Sequence, residues 1–356
     1  MSTVHVVGPA AVSDPWRPSG GNTYHRMVCA GLAQLGWTVH ERLVDDAARP
    51  GQESVLRGSL AGTLDAIPDG EVVLLDGLVT ATAAPVVAEH AERLSLALVV
   101  HLPHGLDGAG VAGAGRRAAE QSVLDAAQVV VATSEWTRDW LVRTYAVEPS
   151  RVHVASPGVT PAEPAAPSGG GHRLLCVGAV TPTKGQDILV EALAAVADLA
   201  WSCRCVGSMD IEPDFAERVA ARGRTLGLGT RLTFTGAQRS DAVAAEYAVA
   251  DLLVVASRGE TYGMVVTEAL GRAVPVLAGA VGGIPEAMGA LSDGRRPGLL
   301  VTAGDPASFA RALRDWLSDD ALREDLRSAA AARRVTLRDW SDTTRRISAA
   351  LTGAAA

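Results

Sequence analysis

Lys184 is the one lysine in a chain of 356 residues; the other 31 of its 32 Lys and Arg side chains are arginines. A position that keeps an ammonium against that background is a candidate for work needing a compact charge on a flexible stem, which the planar guanidinium does not supply. The plain alternative is a solvated side chain left by arginine-rich coding. Lys184 follows the apolar run Leu174-Leu175-Cys176-Val177, in the stretch Gly178-Ala179-Val180-Thr181-Pro182-Thr183-Lys184-Gly185. A second group of chemically capable residues follows another apolar run, as Ser257-Arg258-Gly259-Glu260-Thr261-Tyr262-Gly263-Met264-Val265-Val266-Thr267-Glu268. Its two carboxylates are eight positions apart and bracket a glycine and a helix start. Glu260 reads as a loop residue, whereas Glu268 falls within the helical pattern Val265, Val266, Ala269, Leu270. An ammonium suits an anionic group, and carboxylate oxygens accept hydrogen bonds from hydroxyls.

The elements that must position these groups follow from apolar runs of strand length alternating with longer helical stretches, the pattern of parallel sheets covered by helices on both faces. Strands are expected at 3–8, 71–76, 96–101, 129–132 and 151–155, and then at 173–178, 201–206, 231–236, 251–256 and 274–278. Between the two series, 159–171 is rich in Pro and Gly and reads as an exposed connection. That divides the chain into 1–158, a linker at 159–171 and a second domain at 172–335. Residues 336–356 form a last helix with Trp340, Ile347 and Leu351 on one face. The Ala/Gly-rich stretch 108–115 reads as a loop, and no internal repeat is evident. Two doubly wound domains turn the carboxyl ends of their strands, where ligands bind, toward a shared cleft.

The Glu-x7-Glu spacing, Gly263 inside it, Pro275-Val276-Leu277, Gly282-Gly283-Ile284-Pro285-Glu286 and the upstream Lys184-Gly185 together resemble the retaining glycosyltransferases of family 4. The likeness spans most of the second half of the chain in order, and four features in register make it specific. It implies the α/β architecture called GT-B, with two Rossmann-like domains facing a central cleft, and a last helix that crosses back to the first domain. It also implies transfer of a hexosyl unit from a nucleotide diphosphate sugar, the donor substrate, with no cofactor and no metal. On the same resemblance Lys184 meets the departing diphosphate, Glu260 the hydroxyls of the donor sugar, and Glu268 those of the ribose. At about 4 Å an ammonium and a phosphate attract by about 4 kcal/mol for an effective dielectric near 20. Gly263, Met264 and Val265 open a helix whose unpaired amides suit an anion. Many relatives carry an arginine five or six residues before the lysine, whereas this chain has Ala179-Val180-Thr181-Pro182 there. Arg258 can supply the second positive charge, or can be an ordinary surface ion pair.

In the first half, Pro18-Ser19-Gly20-Gly21-Asn22-Thr23 follows the first strand and enters a helix. Gly20 and Gly21 can bring backbone amides to the donor phosphates, and Asn22 falls on the acceptor side of the implied site. The loop lacks the Gly-x-Gly-x-x-Gly spacing of dinucleotide folds and the lysine of a P-loop, which counts against dehydrogenases and ATPases. His101 ends the run Leu98-Val99-Val100. It fits the histidine that the family often places near sugar and acceptor, with His104 the alternative, on the acceptor side.

A formal charge of −8 counts against a nucleic-acid binder. No uninterrupted apolar run is long enough to span a membrane and no signal-peptide pattern opens the chain, so a cytoplasmic protein without integral membrane association is expected. Cys29, Cys176, Cys203 and Cys205 have no Cys-x-x-Cys spacing, and reduced thiols without a metal are expected. Residues 1–158 hold 11 arginines, no lysine and 17 acids, for 11 − 17 = −6. So acidic a domain, with no basic amphipathic helix, fits a soluble small-molecule or saccharide acceptor better than an anionic membrane surface. Two competing readings share the architecture: a sugar-nucleotide 2-epimerase, which needs no acceptor, and a silent nucleotide-sugar-binding protein. Donor base, acceptor identity and oligomeric state are not encoded in these motifs.

Overall fold

The computed structural model describes residues 2–45, 53–80, 83–103, 106 and 111–354. It divides into two compact units. The first comprises Met1–Asp14, Ser19–Gly158 and Arg338–Ala356, and the second Pro15–Pro18 and Val159–Leu337.

In the first unit the apolar runs form six parallel strands: β1 (Thr3–Pro9), β2 (Thr38–Val44), β3 (Val72–Asp76), β4 (Ser95–Val100), β5 (Val129–Ala132) and β6 (Val152–Val154). Their spatial order is β2-β1-β3-β4-β5-β6. β1 is Val-rich and buried along nearly its whole length, as a strand covered on both faces must be. The helix Gly20–Gln34 starts at Ser19, whose Oγ accepts the Asn22 amide at 3.0 Å. Its Tyr24, Val28 and Leu32 recur at helical spacing and are buried. The helix Trp340–Ala354 packs against that helix. Trp340, Ile347 and Leu351 are buried, Trp37 donates its indole N–H to Ser348 Oγ at 2.9 Å, and Thr344 occupies the space that a side chain at Gly31 would need.

The second unit has β7 (Arg173–Val177), β8 (Ser202–Val206), β9 (Leu232–Phe234), β10 (Leu252–Val255), β11 (Val276–Gly279) and β12 (Gly298–Val301), again parallel, in the order β12-β11-β10-β7-β8-β9. One face of the sheet carries Leu174, Cys176, Cys203, Cys205 and Phe309, and the other Leu175, Val255, Val266 and Ile284. The helix Pro306–Ser318 is capped by Asp305 and buries Phe309, Leu313 and Trp316; each such side chain contributes on the order of 2 kcal/mol by burial. All four cysteines are free thiols.

In each sheet the strand order reverses once, between β1 and β3 and between β7 and β10. Connections on the two sides of such a reversal leave in opposite directions and open a crevice at the carboxyl ends of the two strands. The register Leu174↔Leu252 and Leu175↔Leu253 brings the ends of β7 and β10 to the same edge.

Two features differ from expectation. β2 and β12 are not among the expected strands: β2 is an edge strand, mostly exposed, and β12 has only the short apolar run Leu299-Leu300-Val301 behind a glycine packed against Val276. A helix, Val111–Ala126, covers the part of 108–115 that is described, since alanine is the best helix former. The segment 159–171 has no helix or strand and is mostly exposed, as expected of a connection, yet it is also anchored. Ala165 and Ala166 donate to Arg272 O and Ala248 O, Ser168 Oγ bonds Asp251, and Trp316 donates to Gly171 O, tying it to the second unit. No helix among the described residues is long and apolar enough to cross a membrane.

Candidate active site

At the reversal of the second sheet, the loop after β7 carries Lys184 and the loop after β10 carries Glu260. Lys184 Nζ lies 2.5 Å from Glu260 Oε1, and the same oxygen accepts Ser257 Oγ at 3.0 Å. The Glu260 side chain is about nine-tenths buried, whereas a third of the Lys184 side chain stays exposed. The two loops are joined through their backbones, Arg258 N donating to Thr183 O at 2.7 Å. Gly185 has a φ of +68°, and a Cβ there would sit 2.2 Å from Ala256 O, so only glycine lets the lysine loop close on the end of β10. Gly282, with a φ of +56°, does the same for the carboxylate, because a Cβ would fall 1.7 Å from Glu260 O. Gly283 N donates to that carbonyl at 3.0 Å. The Gly282-Gly283 turn is thus the support on which the Glu260 loop rests.

Arg258 points to the same loop but to a different partner. Its guanidinium bonds Asp187 with both arms at 2.8 and 2.6 Å and reaches Pro182 O at 2.8 Å. Burial would raise the Asp187 carboxyl, but the Arg258 hydrogen bonds and charge hold it below its ordinary value. Gly263, with a φ of +91°, precedes the short helix Met264–Leu270, and Met264 and Val265 form its first turn. Glu268 stands on that helix, its Oε2 accepting Tyr247 Oη at 3.0 Å. Burial pushes the Glu268 carboxyl above its ordinary value, against the Tyr247 hydrogen bond and the Arg272 charge.

In the first unit, Asp76 ends β3 and His101 follows β4. His101 Nε2 lies 3.3 Å from Asp76 Oδ2, while Asp76 Oδ1 accepts the Leu78 amide at 2.9 Å. Burial works to raise the Asp76 carboxyl, but the charge and hydrogen bond of His101, the Leu78 amide and His25 hold it below its ordinary value. Tyr24 stands edge-on to the imidazole, with centroids 5.0 Å apart, and anchors its hydroxyl on Ala155 O. Gly21, beside Gly20 in the first turn of the helix, lies next to this ring: a Cβ there would be 3.8 Å from His101 Cδ2 and 3.2 Å from Leu78. Asn22 is buried and spends its amide on Ala11 O at 3.0 Å. His104 lies outside the described residues.

Residues 171–319 match the family model described as glycosyl transferases group 1, and residues 76–163 match the one described as glycosyltransferase family 4. Over 319 residues the chain is 34% identical to D-inositol 3-phosphate glycosyltransferase 1 of Catenulispora acidiphila, covering 81% of this chain and 73% of that relative. The chain belongs to glycosyltransferase family 4. It spans about half the length of other relatives it matches, among them the D-inositol 3-phosphate glycosyltransferase of Streptomyces avermitilis, 33% identical over 240 residues that make up 61% of this chain and 50% of the relative. The fold of this family 4 chain is similar to that of sucrose-phosphate synthase from Thermosynechococcus elongatus, with a TM-score of 0.78 at 22% identity and 98% of both chains covered. It is also similar to Anabaena HepE in complex with UDP-glucose, with a TM-score of 0.77 at 18% identity, covering 99% of this chain and 100% of that one. These likenesses make the architecture GT-B.

Sequence reasoning missed Asp76, Ser257 and Tyr247, the partners of His101, Glu260 and Glu268. The one signal for Asp76 was a charge ending the buried run Val72-Val73-Leu74-Leu75. Tyr247 sits in a helix preceding β10 and has no such mark.

Proposed function

We propose that this family 4 chain is a retaining, metal-independent glycosyltransferase that takes a hexosyl unit from a nucleotide diphosphate sugar held by the second unit. The Lys184–Glu260 pair at the sheet reversal carries the reading: a partly exposed ammonium on a flexible stem, matched to a buried carboxylate that Ser257 fixes in place. When the glycosidic bond breaks, negative charge grows on the diphosphate. Lys184 turns from Glu260 to that charge, and the released carboxylate accepts hydroxyls of the sugar. Glu268 accepts the ribose hydroxyls, which supply hydrogen bonds to a carboxyl that burial disfavours in its ionised form. The first turn after Gly263 contributes the amides of Met264 and Val265 to the diphosphate.

The acceptor is assigned to the first unit, a soluble small molecule or saccharide, with His101 oriented by Asp76 beside its reacting hydroxyl. Gly20 and Gly21 bring amides alongside that ring. Relatives named for D-inositol 3-phosphate make a phosphorylated cyclitol the first acceptor to try, and the HepE complex with UDP-glucose makes that nucleotide sugar the first donor. A cytoplasmic setting belongs to the same reading.

The test is a thermal-shift panel of nucleoside diphosphates and their sugars, followed by product analysis with and without acceptor. Stabilisation by one diphosphate and its sugar, with an acceptor-dependent product that keeps the anomeric configuration, is expected. Epimerised free sugar formed without acceptor would replace transfer by epimerisation. Donor binding with no turnover on any acceptor would leave a binding protein.

A further inference from the structure

We propose that His25, Cys29 and Glu41, none of which the sugar-transfer reading uses, form a binding site for a zinc-like divalent ion in the first unit, within electrostatic reach of Asp76. His25 and Cys29 lie four residues apart on the helix Gly20–Gln34 and so share one face. Glu41 comes from the neighbouring edge strand β2. One ligand atom from each residue lies within 4.8 Å of the other two, and His25 Nε2 stands 3.1 Å from Glu41 Oε1. A tetrahedral ion with bonds of about 2.0–2.3 Å separates its ligand atoms by roughly 3.3–3.7 Å, so small side-chain adjustments bring the three into a coordination shell.

The ring is built into its place. His25 is buried, and a Cβ at Gly8 of β1 would come within 2.4 Å of the imidazole. Glycine at that position makes room for the Cε1–Nδ1 edge of the ring, while Nε2 is turned to Glu41. Glu41 is half exposed and Cys29 partly buried, which leaves an approach from solvent. Imidazole, thiolate and carboxylate together suit a borderline-soft divalent ion, with water completing the fourth position. The charges close as well: a thiolate and a carboxylate balance the two positive charges of the ion, and the Cys29 proton passes to solvent on binding.

An ion bridging helix and strand would tie β2 to the body of the unit, where few buried side chains hold it.

The experiment uses the full chain after chelator treatment, titrated with Zn2+ in competition with a chromophoric chelator, together with Co2+ absorption spectra and Tm. One equivalent bound, a rise in Tm and a thiolate-to-cobalt charge-transfer band are expected. Cys29→Ser should abolish the band, and Cys29→Ser and the surface variant Glu41→Gln should each weaken Zn2+ binding on the order of 100-fold. No competition with the chelator by the wild type, or a cobalt band and Zn2+ affinity unchanged in both variants, would overturn the site. The latter would assign the metal to Cys176, Cys203 or Cys205 instead.

Discussion

The two sheet reversals occupy the same place in their units and carry opposite kinds of charge pair. In the second unit the more exposed partner is the cation: Lys184 is a third exposed and its carboxylate buried. In the first unit the imidazole of His101 leans on a buried Asp76 whose other oxygen is already satisfied by the Leu78 amide. A long ammonium can exchange one anion for another at little conformational cost, whereas a ring wedged beside Tyr24 can only hold an orientation. On the proposed reading, the same topology supports an exchanging contact in one unit and a fixed one in the other. Away from the lysine pair, the helix carboxyl Glu268 contrasts with Asp76: Asp76 is held below its ordinary value by its neighbours, while burial pushes Glu268 above its own.

The largest effect expected from this contrast is on Lys184→Ala, which should lower turnover at saturating donor by about 100-fold, as loss of an oxyanion donor does. Near-normal kcat would remove the lysine from the transfer step. His101→Ala should cost less, about tenfold in kcat, as loss of one hydrogen bond to the acceptor does, with donor binding unaltered. A change confined to nucleotide affinity would mean that the imidazole does not serve the acceptor side.

Glu268→Gln separates function from stability. Its carboxyl is raised in the folded chain, so the ionised form costs stability that is absent at acid pH and appears as pH rises through the ordinary carboxylate range. The amide removes that cost, and Tm should rise at neutral pH by about 2–4 °C for each kcal/mol recovered, with no gain at acid pH. Calorimetry should at the same time find nucleotide binding about tenfold weaker; unchanged binding would refute the ribose contact. Asp76→Asn should behave the other way. A depressed carboxyl adds stability that is complete above its unfolded value, about 3.9, and lost as pH falls through the folded value. The variant should be less stable than wild type at neutral pH and should converge with it in acid, and equal Tm values at all pH would show that the His101 contact is idle. Arg258→Ala should matter least, under about 1 kcal/mol in stability, since the Asp187 pair is exposed. A kcat loss rivalling that of Lys184→Ala would instead make Arg258 the missing second cation.

The positions proposed for the donor, Lys184, Glu260 and Glu268, stand out in the sequence because their signal is local: a glycine, a spacing and a helix start following an apolar run. The alternation of strands and helices was legible for the same reason, being written in buried Val and Leu. What the sequence withheld was pairing at a distance. Nothing in Gly282-Gly283 says that Glu260 O lies against them, and nothing in Asp76 names His101. Arg258 and Asp187 are 71 residues apart and meet only because β7 and β10 are neighbours. β2 was lost because an exposed edge strand carries polar residues on both faces, and with it went Glu41, the third member of the His25 and Cys29 cluster.

The exchange of partners by Lys184 is tested most directly by calorimetric titration of the cognate nucleoside diphosphate into wild type, Glu260→Gln and Lys184→Ala. The sugar-free ligand bypasses the other role of Glu260. Binding should tighten when Glu260→Gln releases the ammonium and weaken in Lys184→Ala, on the order of tenfold each way. Affinities that are the same in all three proteins would contradict the exchange.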